Sequence, residues 1–494
     1  MLVRDDGIES TSIPRNCYQV APQIWAGAYI GLPHKDAARM QITWLSQLGV
    51  CRIIDLTSHD DQLPSYRDVL AEHAPHIVHE HFPMIDGSIP SEVQMVAIMQ
   101  CIDYALARGE GMYIHCWGGF GRTGMVVACW YKRQEQNGTA ALKRLQQTRL
   151  GIQSNRPSPD FSVQVGFVMR WQEPDALSAR VWLQWRRRFR GAMLGAAIGD
   201  AMGVTNEMLD RSSTMALTQL VGGGICDVAP GGWTDDTAMI LCVCESLIVK
   251  HGFDAHDQMD RFVRWWRYGY MTCAGRTYDV GNTTRLALFA YIQTGDPFSG
   301  VQSTHSAGNG ALSRVAPIGL YYAVQSDIID QAAMYSSMLT HATAHSIDAC
   351  RYVAWIMAQF AAGVAKHDAL NAPWPYSPLC DDIARIAVGS YRNRTIDQLN
   401  ASSYVVDMLE IVLWALYTHD DFATGLCALS IAGGLTTTSC SIYGALAGAL
   451  YGDDAIPVEW RQALAHHDKI EWYAEELLRV SWPTIKATLT LSNE

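Results

Sequence analysis

Residues 114–124 read Ile114-His-Cys-Trp-Gly-Gly-Phe-Gly-Arg-Thr-Gly124. The apolar run Gly111-Met-Tyr-Ile-His115 precedes this stretch, and a helical pattern from Gly124 to Gln136 follows it. A buried strand therefore passes through a glycine loop into a helix. Gly118, Gly119 and Gly121 let successive main-chain N–H groups turn inward and form an anion cradle. The helix N-terminus adds positive potential at the same point. Cys116, at the strand's end, is expected to be a thiolate with a pKa well below the free value of about 8.5. Arg122 lies beyond five intervening residues, so its guanidinium can fold back over the cradle and bind two oxygens of one anion. A sulfur nucleophile facing an anion held in line is an arrangement for phosphoryl transfer.

Outward from this loop the two parts of the chain differ in texture. Cys51-Arg-Ile-Ile-Asp55 reads as a second buried strand and Ser91 to Arg108 as a helix. Strand–helix alternation over residues 1–180 predicts an α/β domain with a central, mainly parallel sheet and flanking helices. From about Phe189 strand signals nearly vanish. Helical periodicities run over Thr237 to Lys250, Ser346 to Lys366, Val405 to Tyr417 and Thr438 to Tyr451, separated by glycine-rich or polar turns. Residues 187–494 are therefore predicted to form an all-α domain, making the chain multidomain. The basic run Trp185-Arg-Arg-Arg-Phe-Arg190 reads as the solvated end of a linker or first helix.

Composition excludes several classes. With 494 residues, 49% apolar and 17% charged, the chain can bury a large core and is not disordered. A net charge of −12 argues against nucleic acid as the main partner and against an anionic membrane surface. No run of about 18 apolar residues is present to span a bilayer. The start, MLVRDDGIES, has no apolar segment of a secretory signal. The 13 cysteines follow neither a disulfide framework nor a zinc spacing. These features predict a soluble cytoplasmic protein.

The Cys116–Arg122 arrangement resembles the C-x5-R signature of protein tyrosine and dual-specificity phosphatases, and the resemblance covers roughly residues 14 to 172. It implies that Cys116 is the nucleophile, that Trp117, Gly118, Gly119, Phe120, Gly121 and Arg122 hold the phosphate, and that no cofactor is needed. Residues 81–90 read HFPMIDGSIP, the stretch where that family's general acid lies. Asp86 there can protonate the leaving oxygen and then deprotonate water; the alternative is a turn residue. Thr123 can donate to the sulfur or cap the helix. Arg156-Pro-Ser-Pro-Asp-Phe-Ser-Val-Gln164 resembles the segment carrying a water-positioning glutamine. The uncharged loop argues against a polyphosphorylated lipid and suggests a shallow dual-specificity pocket, with a tyrosine-only pocket as the alternative.

The second half carries polar islands in apolar helices. A small-residue helix, Phe189 to Gly203, ends near Glu207, and Gly231-Gly-Trp-Thr-Asp-Asp-Thr237 leads into the next helix. Paired carboxylates beside a hydroxyl suit a hard divalent cation or an acidic helix start. Asp279-Val-Gly-Asn-Thr-Thr-Arg285, Ser306-Ala-Gly-Asn-Gly310 and Leu339-Thr-His341 follow in that order. As an ordered set over residues 187 to 455 they resemble the ADP-ribosylglycohydrolase family, an all-α fold with a binuclear magnesium site. The resemblance implies hydrolysis of an ADP-ribosyl linkage. It makes Thr234, Asp235, Asp236, Glu207 and Thr438 metal-site residues, Asp279 a catalytic residue, and Gly308, Asn309, Gly310 and His341 contacts to ADP-ribose.

One departure bears on this. The family's last motif is Gly-Gly-Asp-x-Asp-Thr, and here the same place reads Gly433-Gly-Leu-Thr-Thr-Thr438. Leu435 and Thr437 take the two aspartate positions, which removes two anionic ligands from a site of four positive charges. One magnesium ion, or a weakly held one, is the expectation. The whole reads as a bifunctional hydrolase, a phosphomonoester phosphatase fused to an ADP-ribosyl hydrolase. The alternative is an active phosphatase whose metal-deficient second domain only binds. Expected partners are a phosphorylated or ADP-ribosylated protein, or a small molecule derived from ADP-ribose.

Overall fold

A computed structural model describes residues 12–31, 35–152, 156–173 and 176–491; the leader reading concerns residues outside these. The chain divides into two compact units, Met1–Leu183 and Gln184–Glu494.

The first unit is built on five strands: β1 (Tyr18–Ala21), β2 (Ile24–Gly27), β3 (Val50–Asp55), β4 (Val78–His81) and β5 (Gly111–His115), in the order β1-β2-β5-β3-β4. Only the β1–β2 pair is antiparallel. All five residues of β5 are buried, as expected for a central parallel strand covered on both faces. The helices are α1 (Lys35–Gln47), α2 (Arg67–His73), α3 (Glu92–Ala107), α4 (Gly121–Glu135), α5 (Gly138–Thr148) and α6 (Ser162–Arg170). Asp55 of β3 pairs in register with both His81 of β4 and His115 of β5, so the loops leaving these three strands emerge along one edge.

Helix α4 begins three residues earlier than the apolar pattern indicates. Phe120 is its N-cap, and Arg122 and Thr123 belong to its first turn.

The second unit is helical. It comprises most of α7 (Ala176–Gly203), then α8 (Asp235–Lys250), α9 (Ala255–Tyr268), α10 (Asn282–Thr294), α11 (Ala316–Tyr321), α12 (Ser326–Met338) and α13 (Ala344–Ala361). There follow α14 (Lys366–Asn371), α15 (Asp381–Ala387), α16 (Val405–Thr418), α17 (Phe422–Ser430), α18 (Thr436–Tyr451), α19 (Val458–Ala463) and α20 (His467–Leu491). The run expected to reach Lys366 stops at Ala361, where Gly363 turns the chain at φ +88.

Two small-residue stripes set the frame. A methyl group on Gly191, Gly195, Gly199 or Gly203 of α7 would overlap the main chain of α18 at Gly448, Gly444, Cys440 and Thr436 respectively. The four-residue spacing keeps one face of each helix bare, so the backbones touch. That contact fixes the C-terminal end of α7 against the first turn of α18, beside the second site. The basic run is solvated only in part: Arg187 is exposed, but Arg186 bonds Glu475 at 2.6 Å and Arg190 bonds Glu471 at 2.6 Å, with all four of these side chains buried. Opposite charges supplied by α20 let these arginines enter the core.

Candidate functional site

At the end of β5 Cys116 is buried, at 2% exposure. The carbonyls of the loop after it are all taken from outside. Trp117 O accepts from Tyr29 N at 3.0 Å. Gly118 O accepts from Asn16 Nδ2 at 2.9 Å, Gly119 O from Arg149 Nη1 at 2.9 Å and Phe120 O from Ser158 Oγ at 2.7 Å. Each peptide is thereby oriented with its carbonyl outward, and among the described residues nothing accepts from the N–H groups of Trp117 to Phe120. Gly119 sits at φ +77, pressed on the Gly27 carbonyl, so no side chain fits there.

Arg122 is fully buried, and the loops after β3 and β4 hold it. Nη1 donates to Asp61 Oδ2 at 2.6 Å and to Met84 O at 2.8 Å, and Nη2 donates to Asp61 Oδ1 at 3.0 Å. Burial opposes its charge, but Asp61, with Cys116 and Asp86, outweighs that and raises its pKa. Asp86 is half exposed, with Oδ1 3.1 Å from Arg122 Nη2. The loop thus brings Cys116, Arg122 and Asp86 together. Thr123 does not cap the helix, and its hydroxyl is buried without a hydrogen-bond partner. Gln164 is buried against Gly121, with Nε2 on Ser88 O and Oε1 unpartnered.

Beneath the loop lies a buried polar cluster. Tyr66 Oη is 2.6 Å from His115 Nε2 and 3.1 Å from His79 Nε2, and His79 Nε2 is 3.2 Å from Asp55 Oδ2. Burial pushes Asp55 up, but His115, His79 and His81 hold it well below the usual carboxylate range. Burial lowers His79 to about 4.

In the second unit one cavity of about 840 Å³ is lined by every residue singled out there: Glu207, Thr234, Asp235, Asp236, Asp279, Gly308, Asn309, Gly310, His341 and Thr438, together with Leu435 and Thr437. Asp279 reaches it from a left-handed backbone position at φ +42. Its carboxylates crowd one another. Burial and the neighbouring Asp236, Asp279 and Asp200 raise Asp235 well above its ordinary value. Burial, then Asp200, pushes Asp236 up to about 8, although the hydroxyls of Ser313 and Thr438 oppose this. Glu207 is raised to about 7 by burial, against the pull of the Thr437 amide.

Two features bear on a cation. Asp236 Oδ2 is buried without a hydrogen-bond partner, and beside Asp235 and Thr234 this donor set fits one hard divalent ion. The other side of the cavity does not fit a second. Leu435 is the N-cap of α18 and offers no side-chain acceptor, so Glu207 takes the Thr437 amide at 2.8 Å instead. Among the described residues no three His, Cys, Asp or Glu side chains stand close enough to hold a metal by themselves. Hydroxyls, water or ligand oxygens would have to complete the shell.

Sequence reasoning missed Asp61 and Asp200. Asp61 is one of two adjacent acids in a short loop, and nothing local distinguishes it. Asp200 is fully buried and accepts from Thr234 N at 2.9 Å, Thr234 Oγ1 at 2.8 Å, Thr237 N at 3.0 Å and Thr237 Oγ1 at 2.7 Å, so it anchors the start of α8. A lone acid in the small and apolar stretch Gly191 to Gly203 of α7 was the signal.

Residues 183–485 match the family described as ADP-ribosylglycohydrolase, and residues 28–136 the one described as polymorphic toxin system, DSP-PTPase phosphatase. The ADP-ribosylarginine hydrolase Tri1 of Serratia proteamaculans is 34% identical over 291 residues, 58% of this chain and 78% of its own length. The protein of that name from Pseudomonas putida is 33% identical over 338 residues, 66% of this chain and 90% of its own. A solved structure named ADP-ribosylglycohydrolase-related protein complex superposes with a TM-score of 0.55 at 34% identity, over 60% of this chain and 99% of that one. No helix among the described residues is long and apolar enough to cross a membrane.

Proposed function

Because this chain belongs to the ADP-ribosylglycohydrolase family and carries a DSP-type phosphatase domain ahead of that match, we propose that it is a bifunctional hydrolase with one active site in each unit. In the first unit the substrate is a phosphomonoester. The Cys116 sulfur attacks phosphorus while the phosphoryl oxygens lie on the loop amides and Arg122. An incoming phosphate displaces the Asp86 carboxylate from Arg122 Nη2, which leaves the acid beside the leaving oxygen. Freed from the guanidinium, the Asp86 carboxylate takes up a proton from solvent and passes it to the leaving oxygen as the P–O bond breaks and a phosphocysteine forms. Asp86 then takes a proton from water that Gln164 orients, the water oxygen bonds to phosphorus as the P–S bond breaks, inorganic phosphate is released, and the free hydroxyl of Thr123 donates to the departing sulfur. No cofactor enters. The outward-held loop carbonyls carry this reading. Its test is Cys116→Ser, which leaves no detectable turnover of p-nitrophenyl phosphate; a retained rate would assign the chemistry to another group.

In the second unit the substrate is an ADP-ribosyl linkage on a protein or small molecule. The loop of Gly308, Asn309 and Gly310 takes the diphosphate, His341 lines the same pocket, and Asp279 and Glu207 face the sugar. One magnesium ion, held by Thr234, Asp235 and Asp236 with Thr438 nearby, would supply charge neutralisation and a polarised oxygen. The tie between Glu207 and the Thr437 amide favours a second reading, in which this unit binds ADP-ribose or an ADP-ribosylated protein without cleaving it. Release of ADP-ribose from ADP-ribosyl-arginine with and without magnesium separates the two.

A further inference from the structure

His341 lines the acidic cavity, and its ring is held from behind by two buried residues so far without a role. Arg314 Nη2 donates to Thr340 Oγ1 at 2.7 Å, and Thr340 Oγ1 lies 2.8 Å from His341 Nδ1. Arg314 and Thr340 are fully buried, and His341 is 3% exposed.

Proton counting sets the direction of this chain. An arginine only donates, so Thr340 Oγ1 is the acceptor in the first bond. The hydroxyl proton of Thr340 then needs an acceptor of its own, and among the described residues its only other partner is His341 Nδ1. If Nδ1 were the donor, Oγ1 would accept twice and a buried hydroxyl proton would stay unpaired, which folded proteins avoid. Nδ1 therefore accepts, and the ring proton sits on Nε2. That nitrogen faces the glycine loop: a methyl group on Gly308 would lie 3.1 Å from it, and one on Gly310 3.5 Å. Arg314 also ties the loop directly, with Nη1 on Gly310 O at 2.8 Å, and no carboxylate pairs with it among the described residues. Burial and Arg314 lower His341 to about 3, so its ring is neutral at ordinary pH.

We infer that Arg314 and Thr340 are positioning residues that fix His341 as a neutral Nε2–H donor, presented to a phosphoryl or ribosyl oxygen in the cavity. The inference rests on the reading of that cavity as an ADP-ribose site. His341 is on this view neither a base nor a cation.

The test uses the full chain with ¹⁵N-labelled histidines, the His341 signals being assigned by their loss in His341→Gln. The wild-type ring is expected to show a protonated Nε2 and an unprotonated, hydrogen-bonded Nδ1. Thr340→Val should mix the tautomers and weaken ADP-ribose binding about tenfold by titration calorimetry, the worth of one neutral hydrogen bond. Thr340→Ser should restore both. A protonated Nδ1 in the wild type overturns the inference, and so does a Thr340→Val protein unchanged in tautomer and affinity. The wild-type spectrum decides the tautomer even if Thr340→Val fails to fold. A wild type with protonated Nε2 that binds no ADP-ribose supports the hydrogen-bond chain and overturns the reading of the cavity.

Discussion

The Cys116 loop and the acidic cavity of the second unit differ in how fully their polar groups are matched. Around Cys116 four successive carbonyls have outside donors, and the buried guanidinium of Arg122 has a buried carboxylate fitted to its fork. In the cavity several carboxylates of one sign share a small space, one of them with an oxygen that nothing bonds. The loop is organised before any ligand arrives, because main-chain dipoles and one ion pair suffice to shape it. The cavity is left with excess negative charge, which protons, a cation or a ligand must offset.

The largest expected effect tests the matched side. Asp61→Asn leaves the Arg122 charge without its bidentate partner, so the first unit should lose roughly 3 kcal/mol in equilibrium unfolding. Turnover of p-nitrophenyl phosphate should fall about a hundredfold as the guanidinium drifts. Unchanged stability and rate would break the contrast, since the matching would then matter for neither.

Next in size is repair of the unmatched side. Leu435→Asp with Thr437→Asp returns two carboxylates to the start of α18 and should tighten magnesium binding by about tenfold or more, measured calorimetrically. Tight binding already present in the wild type, unaltered by the pair, would show that the loss of those aspartates is compensated elsewhere.

The smallest effect sharpens the comparison through pH. Folded Asp236 titrates at about 8 and Glu207 at about 7, against about 4 for carboxyls in an unfolded chain. Between these values the folded state binds more protons, so stability falls as pH rises. In EDTA the midpoint of the second unit should drop by about 2–4 °C from pH 7 to 8. The first unit should hold steady there, because His79, lowered to about 4, is largely neutral folded or unfolded. Excess magnesium should flatten the slope, and a midpoint that rises with pH would contradict the charge crowding.

The strand at Gly111–His115 and the cradle after it were legible because glycine spacing and an unbroken apolar run are local properties. The island order in the second half was legible for the same reason, and all ten of its singled-out residues line one cavity. Asp61 was not legible. It meets Arg122 across 61 positions, and one acid in a loop looks like another. The basic run of α7 misled because its acidic partners stand near the other end of the chain, at Glu471 and Glu475.

The residue order alone determined which chemistry each unit contains: a thiol and a guanidinium at fixed spacing in one, ordered acids and a glycine loop in the other, with two aspartates replaced. These are matters of covalent sequence. Only the tertiary structure decided what each group faces. Burial sets whether a carboxylate is charged, and long-range hydrogen bonds set where Arg122 points, which atom Glu207 holds and which nitrogen of His341 carries the proton, because those energies depend on neighbours that folding alone brings near.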